Sequence, residues 1–160
     1  MSNSFQVVLK TESETKRVAA KIAKNCHVGD VLILDGDLGA GKTHFTKWFV
    51  ESLDSKDIVT SPTFSIANFY RTDMYALLHI DLYRISTINE FIDLGLDDYF
   101  NQSVTLIEWG GKFMSYFDEY ISISLCINGD DSRLMTISCK GEKYKSLMDI
   151  LNIEIKGVIC

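Results

Sequence analysis

The chain has 160 residues, of which 46% are hydrophobic and 24% charged, and its formal net charge is −6. This length suits one domain with a hydrophobic core and is short for two, so we expect a single domain over residues 1–160. Proteins that hold nucleic acid through its phosphates usually present a basic face, and the scattered arginines of this acidic chain predict no tight binding to RNA or DNA.

The first third of the chain predicts two strands that alternate with two helices. Thr11 and Glu14 have the spacing of a capping box at the start of the first helix, and its apolar residues recur on one face. The run Val31–Leu34 is wholly apolar, which is typical of a strand buried on both faces. The predicted strands are residues 5–9 and 31–34, and the predicted helices are residues 11–26 and 42–53.

The rest of the chain predicts further strands around one short helix. We expect residues 58–70 to be extended, because Pro62 disfavours helical geometry at the residue before it. Apolar runs at residues 76–81 and 104–108 each end in an acid, and residues 120–140 alternate with period two around a turn, as in a hairpin. A C-terminal helix follows. The order predicts an α/β fold with a mainly parallel sheet, flanked by helices and extended by antiparallel strands.

A glycine-rich stretch between the second strand and the second helix matches the phosphate-loop pattern G-x-x-x-x-G-K-[ST]. Backbone N–H groups of such a loop, together with the start of the helix behind it, bind phosphate oxygens. Lys42 is predicted to contact the β- and γ-phosphates, and the Thr43 hydroxyl to bind Mg²⁺. The predicted nucleotide-binding residues of the loop are Gly36, Asp37, Leu38, Gly39, Ala40, Gly41, Lys42, Thr43 and His44. The whole chain is therefore expected to be one P-loop ATPase domain.

Two acids are candidates to complete a magnesium site and to serve hydrolysis. Asp81 and Glu108 each end an apolar strand, and the carboxyl ends of parallel strands are where α/β proteins bind ligands. We favour Glu108 as the metal ligand, with Asp81 in the second shell or on the attacking water. The opposite assignment stays open.

Three other features lie near these acids in the sequence. Ser61 or Thr63 of "TSPTF" is a candidate to approach the γ-phosphate as part of a switch, and an ordinary loop is an equal alternative. His79 interrupts an apolar run, and we expect a satisfied core histidine. Trp109 is expected either in the core or over the site.

Motifs and segments that the sequence lacks indicate which nucleotide it binds and where in the cell it is expected. The sequence has no N-K-x-D motif for guanine, so ATP is the expected nucleotide, and no arginine-rich lid of the kind used by phosphotransferases. The N-terminus lacks the apolar stretch of a signal peptide, and no run approaches the roughly 20 apolar residues that span a bilayer. We expect a cytoplasmic protein without a membrane segment.

Taken in order, "GDLGAGKT", "SPTF", "HIDLYR", "LGLDDYF" and "LIEWG" resemble the TsaE (YjeE) family of small bacterial P-loop ATPases, from about Thr11 to Trp109. The resemblance implies a role in making threonylcarbamoyladenosine in tRNA, with ATP and Mg²⁺ as cofactors. It also implies docking on a complex of the TsaB and TsaD proteins, which fits an acidic subunit that does not itself hold the tRNA tightly.

The same resemblance assigns individual residues. Lys42 and Thr43 would bind phosphates and Mg²⁺, and Asp81 and Glu108 would serve the metal and hydrolysis. Thr11 and Thr15 match a family segment placed near the nucleotide. His44 departs from the family, which commonly has a small hydroxyl residue there.

Two other classes of function remain open from the sequence. A small-molecule kinase, with "SPTF" or Arg84 contacting an acceptor, would produce ADP only when its acceptor is present. A nucleotide-gated binding module would bind ATP and a partner with negligible turnover. The missing lid disfavours the first, and the two carboxylates disfavour the second.

Overall fold

The structure is a computed structural model that describes residues 4–37 and 39–159, and those ranges contain seven strands and four α-helices. The strands are β1 Ser4–Leu9, β2 Val31–Gly36, β3 Ala67–Arg71, β4 Ala76–Asp81, β5 Val104–Glu108, β6 Tyr120–Ile127 and β7 Arg133–Lys140. The helices are α1 Glu12–Asn25, α2 Lys42–Glu51, α3 Ile88–Asp93 and α4 Lys145–Ile159. Short 3₁₀ helices occupy Leu96–Gln102, Gly111–Tyr116 and Glu142–Tyr144.

One sheet contains all seven strands, in the order β1-β7-β6-β2-β5-β4-β3. The four central strands β6, β2, β5 and β4 run parallel to one another, while β7 and β1 on one side and β3 on the other pair antiparallel. The predicted fold class is confirmed, with antiparallel strands at both ends of the parallel centre. The sequence indicated only the late hairpin β6–β7.

Residues in the central strands alternate between two hydrophobic cores. In β2, Leu32 and Leu34 pack in the core under α1, α2 and α4, whereas Val31 and Ile33 pack in the core under α3 and the 3₁₀ helices. All four are buried, so the prediction of a strand covered on both faces is confirmed.

Helix α1 begins as the capping-box spacing predicts. The Thr11 hydroxyl accepts a hydrogen bond from the Glu14 N–H at 3.1 Å. The Glu14 carboxylate in turn accepts from the Lys10 N–H at 2.6 Å, one residue before the position in a standard capping box. The side chains of Thr11 and Glu14 thus hold the start of α1 in place, as in a capping box.

The prediction that residues 58–70 are extended is confirmed for the part within β3 and wrong for residues 63–66. Residues 63–65 form a turn, and the Ile66 N–H donates to the Pro62 carbonyl at 2.6 Å. Ile66 also adopts a left-handed φ of 70°, which an extended chain does not have. The chain therefore folds back at "SPTFSI" before it enters the sheet, and this turn brings Thr63 to the end of β4.

Across residues 4–37 and 39–159, every helix is too short or too polar to cross a lipid bilayer.

Candidate functional site

The phosphate loop connects β2 to α2, and the structure explains why two of its positions are glycine. A Cβ on Gly36 would collide with the Leu125 backbone carbonyl of β6, so the close approach of the neighbouring strand requires glycine. Gly41 caps α2 with a left-handed φ of 105°. The backbone can therefore turn sharply into the helix and leave the first N–H groups of α2 pointing toward the loop.

The loop residues predicted to bind nucleotide surround this turn. The Asp37 carbonyl accepts hydrogen bonds from the Ala40 N–H at 3.0 Å and from the Lys42 ammonium at 3.1 Å. Ala40 is buried, while Asp37 and Gly39 are exposed. Leu38 lies outside the described residues, so its assignment stays a prediction.

Lys42 is held inside the loop. The residue is 6% exposed, and its ammonium donates to the carbonyls of Gly36 and Asp37. The nitrogen also lies 4.0 Å from the centre of the Trp109 ring, close enough for a cation–π contact. Trp109 combines the two positions expected for it, because it packs against the core under α3 and also lies beside the Lys42 ammonium.

Acidic groups outnumber Lys42 in its surroundings. Burial lowers the pKa of the Lys42 ammonium, and four nearby carboxylates oppose that effect. They are Glu108, Asp35, Asp37 and Asp81, in decreasing order of influence. Four acids around one ammonium make an environment that favours a further cation.

Asp81 and Glu108 meet at the carboxyl edge of the sheet, as predicted. They are register partners at the ends of the adjacent parallel strands β4 and β5, and both are buried. The two Asp81 oxygens accept hydrogen bonds from the Thr63 hydroxyl at 2.9 Å and the Tyr83 N–H at 2.8 Å. Both Asp81 oxygens are therefore partnered.

Glu108 has a different partner. Its Oε2 lies 2.6 Å from Nε2 of His79, and both side chains are buried. Among the described residues, Nδ1 of His79 has no hydrogen-bond partner. His79 is thus buried as the sequence suggested, but it is only half satisfied, and it contacts a predicted site residue.

The "TSPTF" loop reaches the same place. The Ser61 and Thr63 hydroxyls lie 2.7 Å apart, and Thr63 donates to Asp81. Both residues line one cleft together with the loop and the acids. The residues of this acidic cleft are Gly39, Gly41, Lys42, Thr43, His44, Ser61, Thr63, Asp81, Glu108 and Trp109. The structure therefore gathers the three separate sequence features into one site.

The donor set of the acidic cleft fits magnesium. Hydroxyl and carboxylate oxygens are the hard ligands that Mg²⁺ prefers, and it commonly takes one or two carboxylates beside substrate phosphates. The cleft offers the Thr43 hydroxyl with Glu108 and Asp81. Within the described ranges, no cluster of three or more His, Cys, Asp or Glu side chains forms a metal site by itself. A site that phosphate oxygens must complete is consistent with both facts.

A second cleft opens on the other side of the loop, and we call it the α1 cleft. Thr11 and Thr15 line it, and His44 and Gly41 are shared with the acidic cleft; that Thr11 and Thr15 lie near a nucleotide stays a prediction. The remaining lining residues are Leu9, Lys10, Glu12, Ala40, Trp48, Asp131 and Arg133. His44 stacks on Trp48 with ring centres 5.7 Å apart, which turns the unusual residue into part of an aromatic wall.

Two site residues were missed by the sequence interpretation. Arg133 begins β7 and donates from Nε to the Ala40 carbonyl at 3.2 Å, so the hairpin braces the phosphate loop. Asp35 precedes Gly36, and burial raises its pKa although the Gly111 N–H and Lys42 lower it. The position of Asp35 at the end of a buried strand was a usable signal. Arg133 had none, because only the sheet order brings β7 near the loop.

Comparison with known proteins gives consistent matches. The family model described as "Threonylcarbamoyl adenosine biosynthesis protein TsaE" matches residues 9–135. The TsaE protein of Bacillus subtilis is 43% identical over 141 residues, covering 87% of this chain and 88% of that protein. The TsaE protein of Rickettsia felis is 31% identical over 147 residues, covering 91% and 85%. The crystal structure of Bacillus subtilis YdiB superposes with a TM-score of 0.82 at 36% identity, covering 96% of this chain and 97% of that one.

Proposed function

The chain belongs to the TsaE family of tRNA threonylcarbamoyladenosine biosynthesis proteins and has its P-loop NTPase fold. From that premise we propose that it is a cytoplasmic, Mg²⁺-dependent ATPase that acts on a complex of the TsaB and TsaD proteins. Its family role in threonylcarbamoyladenosine biosynthesis follows from the match. The ATPase activity, the metal and the partners are the content of the proposal.

One observation carries the proposal. The acidic cleft joins a phosphate loop, its lysine and threonine, and two strand-end carboxylates. A glycine-rich turn that served only the fold would not need a buried ammonium with acids converging on it. This combination is what phosphoryl transfer to water requires: a cradle for phosphates, a countercharge, and groups that orient a nucleophile.

In this proposal, Lys42 turns its ammonium from the loop carbonyls to the β- and γ-phosphate oxygens, where it balances developing charge. Thr43 and Glu108 would hold Mg²⁺, which when bound neutralises charge on the phosphates. Asp81 accepts a hydrogen bond from Thr63, so it can orient the attacking water or the metal's outer ligands. The excess of acids also explains why the nucleotide would bind with the metal rather than alone.

The α1 cleft is our candidate site for the adenosine. It is continuous with the loop through Gly41 and His44. Thr11 and Thr15 offer hydroxyls, and the His44–Trp48 wall offers an aromatic surface. Of the residues predicted to bind nucleotide, Thr11, Ala40, Gly41 and His44 line this cleft, and Gly39, Lys42 and Thr43 line the acidic cleft.

A protein partner would supply what the acidic cleft lacks. All four arginines lie in the described ranges, and none lines the acidic cleft: Arg17, Arg71 and Arg133 bond elsewhere, and Arg84 lies over the Phe64 ring. NTPases often receive a transition-state arginine from another chain. We therefore expect slow hydrolysis alone and faster hydrolysis with TsaB–TsaD, which would handle the tRNA.

The test is to measure phosphate release by the purified protein, then with its own TsaB and TsaD, and then with tRNA. We expect stimulation by the protein pair and a complex on a sizing column in ATP. An unchanged rate together with no complex would overturn the accessory role. Release that depends on a small hydroxyl metabolite would indicate a kinase, and ATP binding without turnover under every condition would indicate a binding module.

A further inference from the structure

His79 lies on the same face of the sheet as the two acids. It is two residues before Asp81 on β4, and its register partner Leu106 is two residues before Glu108 on β5. Side chains two residues apart share a face of a strand. His79, Asp81 and Glu108 therefore point to the side of the sheet that α2 covers, the side on which Leu77 and Leu106 are buried. The 2.6 Å approach of His79 Nε2 to Glu108 Oε2 is therefore built into the register of the parallel strands.

The pairing constrains Glu108 strongly. An ionised carboxylate only accepts hydrogen bonds, so whenever Glu108 is ionised the donor in this contact is His79 Nε2. Among the described residues, this is the one hydrogen bond that the Glu108 side chain makes, and it leaves Oε1 unpartnered on a residue that lines the acidic cleft. A 2%-exposed carboxylate without any donor would be costly, so the contact determines where Oε2 sits.

The imidazole itself is also fixed in place. Its ring lies 6.0 Å from the ring of Tyr70, centre to centre. The Tyr70 hydroxyl donates to the Thr60 carbonyl at 3.0 Å and accepts from the Thr60 N–H at 3.2 Å, directly before Ser61. The histidine thus lies between the strand-end acid Glu108 and the first residues of the "TSPTF" loop.

We propose that His79 is a positioning residue for hydrolysis: it holds Oε2 of Glu108 so that Oε1 is directed to the reacting phosphate and its metal. The inference rests on the proposed function, because it assigns His79 a role only through Glu108. It differs from a purely structural contact in one respect. A structural pair would affect stability alone, whereas a positioning residue affects turnover through its partner.

Two variants and one control separate these roles. In His79→Leu the donor is lost, and we expect hydrolysis to fall by about 10–100-fold, as is typical for residues that orient metal ligands. In His79→Gln the amide can donate to Oε2, and most of the activity should return. The control is Thr105→Val, which changes a buried polar residue of β5 on the opposite face whose hydroxyl has no partner. Metal-free ADP affinity should be unchanged in all three.

A double-mutant cycle provides the decisive kinetic test. If His79 acts through Glu108, then His79→Leu should cost little further turnover once Glu108→Gln is present. Losses that multiply in the double variant would overturn the proposal, and so would a His79→Leu protein with wild-type turnover. His79→Leu leaves a buried carboxylate without a donor and could therefore fail to fold. In that case His79→Gln is the test, and loss of turnover in the folded His79→Gln protein would overturn the proposal.

A spectroscopic measurement tests the pair without turnover. In ¹⁵N-histidine-labelled wild-type protein, the Nε2 proton of His79 should give an exchange-protected, downfield ¹H signal that is absent in His79→Gln. We expect it to shift with ADP plus Mg²⁺ and not with ADP alone. A signal that ignores the metal while hydrolysis proceeds would overturn the positioning role. A protein that shows the signal but neither binds nor hydrolyses ATP would contradict the proposed function instead and leave the pair itself established.

Discussion

At the amino edge of the parallel strands, Asp30 is buried with both carboxylate oxygens partnered: Oδ2 accepts from the His27 N–H at 2.8 Å, and Oδ1 lies 3.3 Å from the Lys143 ammonium. At the carboxyl edge, Glu108 is equally buried, but only one of its oxygens has a hydrogen-bond partner in residues 4–37 and 39–159. Lys42 bonds to backbone carbonyls rather than to the acids around it. Both edges hold a buried acid and a lysine, but only the acid at the amino edge has partners for both of its oxygens among the described residues.

We interpret this difference as one between a charge that serves the fold and charges that would serve the proposed hydrolysis. One acid faces one ammonium at the amino edge, and the chain satisfies both with its own groups. At the carboxyl edge four acids surround one ammonium, so further groups are needed to complete the arrangement. We therefore expect substitutions at the amino edge to change stability, and substitutions at the carboxyl edge to change catalysis. Three predictions test this division, from the largest expected effect to the smallest, and a fourth concerns the stability cost of burying Asp35, one of the four carboxyl-edge acids.

Lys42→Ala should lower ATP hydrolysis by about 10²–10³-fold, the range seen when one preorganised charge-stabilising group is removed from an active site. The fold should stay intact, because the loop backbone and its glycines are unchanged. Phosphate release and circular dichroism measure the two effects. Lys143→Ala is the matched control at the other edge, and its turnover should equal wild type. Near-normal hydrolysis by Lys42→Ala would remove the phosphate-loop interpretation.

Asp81→Asn and Glu108→Gln should each lower hydrolysis by about 10²-fold, in the range of a lost acid–base or orienting group, and lower ADP affinity much less. Each change keeps the side-chain size and removes a charge. A Mg²⁺ titration of turnover distinguishes them, because the variant that loses the metal ligand needs more Mg²⁺. We expect that variant to be Glu108→Gln. Full activity in both variants would move the site elsewhere.

Asp30→Ala should destabilise the fold by about 2 kcal/mol, because the His27 N–H loses its buried acceptor. The Lys143 ammonium, whose side chain is 44% exposed, can return to water and adds little. Hydrolysis per folded molecule should not change. Urea unfolding gives the free energy of unfolding, and a catalytic loss without a stability loss would break the division between the edges.

Asp35→Asn should change the pH dependence of stability. Burial raises the Asp35 pKa above its usual 3.8, so the folded state binds this proton more readily than the unfolded state does. Ionisation of Asp35 therefore weakens the fold as pH rises through the interval above 3.8. Relative to wild type, the variant should gain stability from acid to neutral pH. A stability difference that is independent of pH would contradict this assignment.

The sequence predicted the elements best where one local pattern determined them. The apolar run of β2, the apolar face of α1 and the alternation in β6 and β7 each indicated an element that the structure contains. The turn before β3 was missed, because Pro62 constrains only the residue before it, while the turn depends on the Ile66 N–H bonding back to Pro62. The conformational preferences of the individual residues do not predict that hydrogen bond.

The residues that meet in the candidate site could be named from the sequence, but the contacts between them could not. Phosphate-loop spacing and strand-end acids identified Lys42, Asp81 and Glu108 without any coordinates. The bond between His79 and Glu108 depends on β4 lying beside β5 in a register that pairs Asp81 with Glu108. Arg133 reaches the loop through the order β7-β6-β2. Both contacts follow from long-range strand pairing, which short-range sequence patterns do not encode.

The two tryptophans of the chain place one intrinsic fluorescence probe in each cleft. Trp48 stacks on His44 in the α1 cleft, and Trp109 lies under the Lys42 ammonium with the Tyr83 ring 5.1 Å away. A fluorescence change in Trp109→Phe would therefore report events at the adenosine side, and one in Trp48→Phe would report events at the phosphate side. Stopped-flow traces of the two single-tryptophan proteins would give the order in which the halves of a nucleotide engage, without attaching any dye.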